Sequence, residues 1–281
     1  MENETEKKNS PPKKIYSKDL SSNILLIRHG ETDFNQDFFI KGPKIKSDSN
    51  YINAPLNDTG KSQAITASKI FENLEIETVY VSPLYRSIET AILLFQNHPN
   101  NKNIIINIHP LLTELISSTH NFTYDIQSTK NFFNSNSKIK INWDIFDEIF
   151  TTEIQKDFYF FEYIDLLNES QKKIQKKKLI EKHKKKGIKE TLGNLGKYMS
   201  DIGLKKLESF NHLFGRCEKF KEFLKNKYNN NKENGKKIVI VAHKCFTNIF
   251  TSISCYNKKN ITEFPKDSCN LKNCEVISIF L

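Results

Sequence analysis

Two short apolar runs constrain this chain more than any other feature. "NILLI", Asn23 to Ile27, and "IVIVA", Ile238 to Ala242, are continuous rather than alternating, the mark of strands covered on both faces. Each runs directly into a histidine: the first into Arg28-His29-Gly30, the second into His243. Strands buried on both faces need helices on either side of their sheet, and the rest of the sequence supplies them. "ETVYV" (Glu77–Val81), "NIIINI" (Asn103–Ile108) and the closing "CEVISIFL" read as further strands. Ala64, Ala67, Phe71 and Leu74 recur at helical spacing, as do Leu213, Cys217, Phe220 and Leu224. Ser82 and Pro83 suit the cap and first turn of a helix through "SPLYRSIETAILLF". This alternation predicts an α/β protein, a three-layer α/β/α sandwich around a mainly parallel central sheet.

With 281 residues, 37% of them hydrophobic, the chain has enough material for one large domain with an insertion. Residues 1–22 are polar, charged and Pro-bearing and read as a disordered tail. The domain then runs over residues 23–281, with a largely helical insertion or cap at about 117–205. Asp33 to Pro55 reads as polar loop. The N-terminus has no apolar signal region and no apolar run is long enough to cross a bilayer, so the expectation is a cytoplasmic protein without membrane association. The five cysteines make no paired CxxC pattern, which argues for reduced thiols and against zinc. Much of the net charge of +10 is local to Gln171–Glu190, "QKKIQKKKLIEKHKKKGIKE". That run lacks interleaved aromatics, so it reads as a solvated face and not as a nucleic-acid platform.

In an open α/β sheet, ligands bind beyond the carboxyl ends of the strands, where His29 and His243 both fall. Arg86 lies in the first turn of the helix after the second strand, and Glu114 follows the third. Separate segments thus deliver imidazoles, guanidinium groups and a carboxylate to one edge, which suggests an anion site. Taken singly, each residue has a plainer reading as a capped histidine or a surface arginine. Cys245, two residues after His243, could be a nucleophile, but no partner base accompanies it and core packing is preferred.

"RHGET..N" at Arg28–Asn35, "LNDTGKSQA" from Leu56, "SPLYRSIETA" from Ser82, "LLTE" ending at Glu114 and "VIVAH" ending at His243 together resemble the histidine phosphatase superfamily, the phosphoglycerate mutase-like family. The resemblance covers residues 23–115 and about 207–281 and implies that fold. It further implies a metal-independent phosphomonoester hydrolase, without cofactor, in which His29 becomes a phosphohistidine. Arg28, Arg86, Asn35 and His243 would hold phosphate, and Glu114 would serve as general acid and then base, with Glu31 or Asp33 as alternatives. A nucleophilic histidine needs one ring nitrogen unprotonated and the other held as a donor, most simply to a backbone carbonyl. Gly30 would let the backbone turn closely there. Fixed arginines would stabilise the transferring phosphoryl group without magnesium.

The chain departs from the family pattern in two places. "LISSTHNF" follows Glu114 where a glycine-containing stretch is usual, and Lys244 follows His243 in place of a small residue. The longer segments associated with glycolytic mutases are missing, which favours a phosphatase acting on a phosphorylated small molecule or phosphoprotein. The alternatives are a phosphoglycerate mutase-type phosphotransferase, a catalytically weak binding or scaffold protein of the same fold, and a nucleic-acid-associated protein carried by the Lys-rich run.

Overall fold

The computed structural model describes residues 15–123, 125–186, 188–201, 206–228, 235–252 and 261–281. Its strands are β1 (Tyr16–Ser17), β2 (Ile24–Arg28), β3 (Ile76–Val81), β4 (Ile105–Ile108), β5 (Lys140–Asn142), β6 (Lys237–Ala242) and β7 (Val276–Ile279). They form one sheet in the order β1-β7-β2-β6-β3-β4-β5. Pairings from β2 through β6, β3 and β4 to β5 are parallel, while β7 runs antiparallel to β2 and to β1. A mainly parallel sheet is what the continuous apolar runs predict.

Alternate residues of each strand feed opposite cores, as the pleat requires. Leu25, Ile27, Val79, Val81, Val239 and Val241 face one core. Leu26, Tyr80, Ile238, Ile240 and Ala242 face the other. The first core is roofed by α2 (Asp58–Ser68) and α3 (Tyr85–Phe95), through Ala64, Ala67, Ile88 and Ala91. The second is roofed by α9 (Phe210–Tyr228) and α10 (Lys244–Phe250), through Leu213, Phe220, Leu224 and Phe246. Burial of each such Leu or Phe contributes about 1.5–3 kcal/mol, and together they fix which face each helix covers.

Three local expectations need correction. The predicted loop after Asp33 begins with helix α1 (Asp33–Lys41), because Thr32 and Asn35 form a reciprocal capping box. Ser82 is not the cap of α3: the cap residue is Leu84, and the Asn53 side chain accepts the Tyr85 N–H at 2.9 Å. Of the predicted disordered tail, residues 1–14 lie outside the described residues, but Tyr16–Ser17 pair with Ser278 and Ile279. The insertion is mostly helical, with α4 (Ile126–Asn136), α5 (Asp144–Ile149), α6 (Glu153–Asp157), α7 (Glu169–Lys186) and α8 (Ile188–Asp201). It also contributes β5, which extends the sheet through Ile141 beside Ile106. The described residues of the Lys-rich run are helical, lying largely in α7.

One helix of the insertion, α8, packs on the segments around Ser47 and Thr119. A Cβ on Gly196 of α8 would meet Thr119 Cγ2 at 2.3 Å and the Ser47 backbone at 3.3 Å, so this glycine lets α8 lie directly against both segments. Thr119 in turn donates to the Lys46 and Asp48 carbonyls at 3.0 and 2.7 Å. These contacts fix the loop from Ser118 to Asn121 against the segment bearing Lys46.

Candidate active site

Because β2, β6, β3 and β4 are parallel, their carboxyl ends share one edge. The His29 N–H donates to the Ala242 carbonyl at 3.0 Å, and the Ser82 N–H to Val241 at 3.2 Å. His29, Ser82 and His243 therefore follow directly from strand ends in register. Gly30 has no left-handed φ; its role is close approach. A Cβ there would stand 2.6 Å from the Gly60 carbonyl oxygen, and one on Gly60 would stand 2.1 Å from that of Glu31. The Arg-His-Gly turn packs backbone to backbone on the first turn of α2.

The tautomer of His29 follows from its partners. Nδ1 lies 2.6 Å from the Gly30 carbonyl, which can only accept, so Nδ1 carries the proton. Nε2 is then the lone-pair nitrogen, and Arg86 Nε donates to it at 3.3 Å. Burial, followed by the charges of Arg86 and Arg28, holds this imidazole well below its ordinary pKa range. The ring is neutral at neutral pH.

Arg86 is itself buried, and desolvation pushes it down to about 10, which leaves it cationic. Its terminal nitrogens donate to the His120 carbonyl at 2.9 Å and to Asn121 Oδ1 at 3.0 Å, and each retains a second N–H. Arg28 donates through Nη1 to the Leu271 carbonyl at 3.1 Å, while its buried Nε has no hydrogen-bond partner. A buried donor without a partner is costly, and an anion would relieve it.

A cleft of about 930 Å³ opens over these groups, a size suited to a small-molecule ligand. Of the residues predicted from sequence, Arg28, His29, Asn35, Arg86 and Glu114 line it, as do Glu31, Lys244 and Cys245. Asp33 is exposed and is not among the lining residues. Asn35 Oδ1 is committed to the Thr32 cap, which leaves its amide N–H groups for the cleft. Glu114 lies across the N-terminus of α10: Oε2 accepts the Cys245 N–H at 3.1 Å, and Oε1 accepts those of Phe246 and Leu115 at 3.2 and 2.7 Å. Burial and the neighbouring Glu114 push the Cys245 thiol well above its ordinary pKa, so it is no thiolate nucleophile at neutral pH.

His243 is brought close to His29, their ring centroids 5.0 Å apart, but it is completely buried and is not among the residues lining the cleft. Its Nε2 meets Ser82 Oγ at 2.7 Å, and its buried Nδ1 has no partner. Burial, then the charge of Arg86, holds it well below the ordinary histidine range.

Several site residues were not anticipated. His120 stacks on Phe34 with centroids 3.5 Å apart and, like Lys46 and Asn121, lines the cleft. Asn273 also lines it and donates to the His29 carbonyl at 2.8 Å. Beneath Glu114, the buried pair Arg216 and Glu208 braces its segment: Arg216 donates to the Leu111 and Thr113 carbonyls at 2.7 and 2.8 Å, and Glu208 accepts the Ile116 N–H at 3.1 Å. His120, Asn121, Asn273 and Glu208 sit outside the long helices and strands, where periodicity carries no signal, and Arg216, although on α9, is a buried charge that no apolar pattern marks. For His120 the cue was present, since it belongs to "LISSTHNF", the stretch that departs from the family pattern.

Among the described residues, no helix is long and apolar enough to cross a membrane, and no group of three or more His, Cys, Asp or Glu side chains is arranged to hold a metal ion. Residues 24–118 match the histidine phosphatase superfamily (branch 1). Within that region the chain is 34% identical over 91 residues to fructose-2,6-bisphosphatase TIGAR B of Danio rerio, covering 32% of this chain and 33% of that protein. It is 33% identical over 79 residues to the 2,3-bisphosphoglycerate-dependent phosphoglycerate mutase of Chlamydia muridarum, covering 28% of this chain and 31% of that enzyme. The chain thus spans about a third of the length of the curated relatives it matches. Among solved structures it is similar to the ecdysone phosphate phosphatase of Bombix mori, with a TM-score of 0.49 and 14% identity, covering 90% of this chain and 86% of that one. Arg28, His29, Arg86 and Glu114 lie inside the segment that matches the histidine phosphatase superfamily (branch 1), whereas β6 and His243 lie outside it.

Proposed function

We propose that this protein is a phosphomonoester hydrolase that works through a phosphohistidine on His29. The observation that carries the reading is the His29 ring itself: neutral, protonated on Nδ1 by its bond to Gly30, and presenting Nε2 beside Arg86 in a cationic cleft. In the first step Nε2 attacks phosphorus; the P–N bond forms and the ester P–O bond breaks. Glu114 gives its proton to the leaving oxygen. In the second step water attacks phosphorus, its proton passes to the Glu114 carboxylate, and the P–N bond breaks to release orthophosphate and restore the lone pair of His29.

Arg28 and the outer N–H groups of Arg86 stabilise the charge on the equatorial oxygens, with the Asn35 amide as a further donor. His243, behind His29, acts by packing and electrostatics, with its neutral ring held against Ser82. Lys46 and Lys244 raise the positive potential at the mouth of the cleft. Substrates are phosphorylated small molecules or phosphorylated side chains able to enter the cleft.

The test is hydrolysis of an aryl phosphate in excess chelator, comparing wild type with His29→Ala. Turnover that survives chelation and is abolished by His29→Ala is the expected result. The reading fails if wild type is inactive between pH 5 and 7.5, or if the variant retains activity.

A further inference from the structure

The cleft has a side that phosphate chemistry does not use. Its wall is helix α1, from which Phe34, Asn35, Phe38, Phe39 and Ile40 all line the cavity that contains His29. Phe34 is buried against His120 and stacks with Phe38, their centroids 5.7 Å apart. Phe39 and Ile40 instead stand in water, 93% and 69% exposed. A single exposed apolar side chain is ordinary, but adjacent ones continuous with the buried Phe34 and the half-buried Phe38 and lining the same cleft form a patch.

The helical repeat relates this patch to the phosphate end. Asn35 and Phe39 are one turn apart on the same stripe of α1. The rise between them is about 6 Å, roughly the reach of a leaving group of five or six carbons attached to a phosphoryl group at His29. A sugar or glycerate leaving group would gain nothing from Phe39, whereas an alkyl or aryl group lying along α1 would remove Phe39 and Ile40 from water. The lysines at the mouth do not oppose this, because a lysine stem packs along apolar surface while its ammonium group stays wet. Lys46 already holds its ammonium 5.5 Å from the Phe38 ring centroid.

We infer that Phe39 and Ile40 are specificity-determining residues that select phosphate monoesters with an extended apolar leaving group, over polyanionic sugar phosphates. The inference rests on the proposed hydrolysis at His29. It does not change the chemistry; it names the class of alcohol released.

The experiment uses a series of n-alkyl phosphates from ethyl to octyl, each below its micellar concentration. The pKa of the leaving alcohol is nearly constant along this series, so chain length reports binding alone. In wild type, kcat/KM is expected to rise by up to about fourfold per methylene and to level off near hexyl. In the double variant Phe39→Ser, Ile40→Ser that rise should flatten. Both side chains are exposed, so the fold is not at stake, and an unchanged far-ultraviolet circular dichroism spectrum checks it.

A wild-type rate independent of chain length overturns the inference, as does a slope that persists in the double variant. A sugar bisphosphate preferred to octyl phosphate also overturns it and assigns the lysines to a second phosphate. Absence of His29-dependent turnover on every ester defeats the hydrolase reading itself, an outcome separate from the other three.

Discussion

At the scale of the residue, the site turns on which atom holds which proton. The Gly30 carbonyl fixes the proton of His29 on Nδ1, and burial between two arginines keeps the ring neutral, so in the proposed reaction His29 needs no base to activate it. Glu114 is different. Its oxygens accept backbone N–H groups from Leu115, Cys245 and Phe246, so its position is set by the start of α10 and not by a charged partner. If Glu114 protonates the leaving oxygen, its importance depends on how badly that oxygen needs a proton. Glu114→Gln is therefore expected to lower kcat by roughly 10²- to 10⁴-fold for an alkyl phosphate, and far less for p-nitrophenyl phosphate, whose leaving group departs unaided. Rates for both esters, measured in parallel, decide the matter; equal losses would assign Glu114 to structure alone. Arg28, His29 and Arg86 were legible in the sequence because Arg28 and His29 stand at the end of the apolar run of β2 and Arg86 in the first turn of the helix after β3. His120 and Asn273 were not, because irregular segments bring them in, and the Arg216–Glu208 brace was not, because only tertiary packing sets the buried Arg216 of α9 under the Glu114 segment.

Elements are positioned here by close backbone approach as much as by side chains. The Arg-His-Gly turn rests on the first turn of α2 through Gly30 and Gly60, with no room for a Cβ at either position. Gly60→Ala is thus expected to destabilise the protein by about 1–3 kcal/mol and to displace Glu31 and its neighbours at the cleft. Chemical denaturation and aryl-phosphate kinetics on the same preparation check both effects; a fully stable, fully active variant would contradict the packing account. β2, β3, β4, β6 and β7 were legible from short apolar runs, α2 and α9 from apolar residues at helical spacing, and α3 from the Ser82-Pro83 start signal. Two elements were missed although their signals are present. Thr32 and Asn35 are capping-box partners ahead of α1, and Ile139, Ile141 and Trp143 alternate at strand period through β5. Charged and Asn-rich surroundings masked both, and β5 gains its partner only through tertiary pairing with β4. The Gly60 contact could not be read locally, since what it avoids is a backbone atom nearly thirty residues away.

At the scale of the whole molecule, the fold buries several histidines in neutral form. His29, His120 and His243 are held well below their ordinary pKa, first by burial and then by Arg86, and burial takes His109 down to about 3. In the unfolded chain each would titrate near 6.5. Between that value and its folded value, every one of these rings takes up a proton on unfolding, so their contribution to stability is complete above about pH 6.5 and is lost as pH falls below it. In that window each adds a slope of up to roughly 1.4 kcal/mol per pH unit. Urea unfolding between pH 7 and 5.5 should therefore show a steep loss of stability at pH values where most carboxylates are still ionised. A level unfolding free energy over that interval would mean the rings are charged or solvated in the native state. The neutrality that the proposed role of His29 requires would then fail with it. The proposed chemistry and the acid sensitivity share one cause, since burial keeps the ring nitrogen of His29 unprotonated and makes the native state intolerant of protons. Inorganic phosphate bound over Arg28 and Arg86 would offset the charge of those arginines at His29, so added phosphate is expected to raise stability at neutral pH and also to raise the pKa of His29, which histidine NMR titration reads directly.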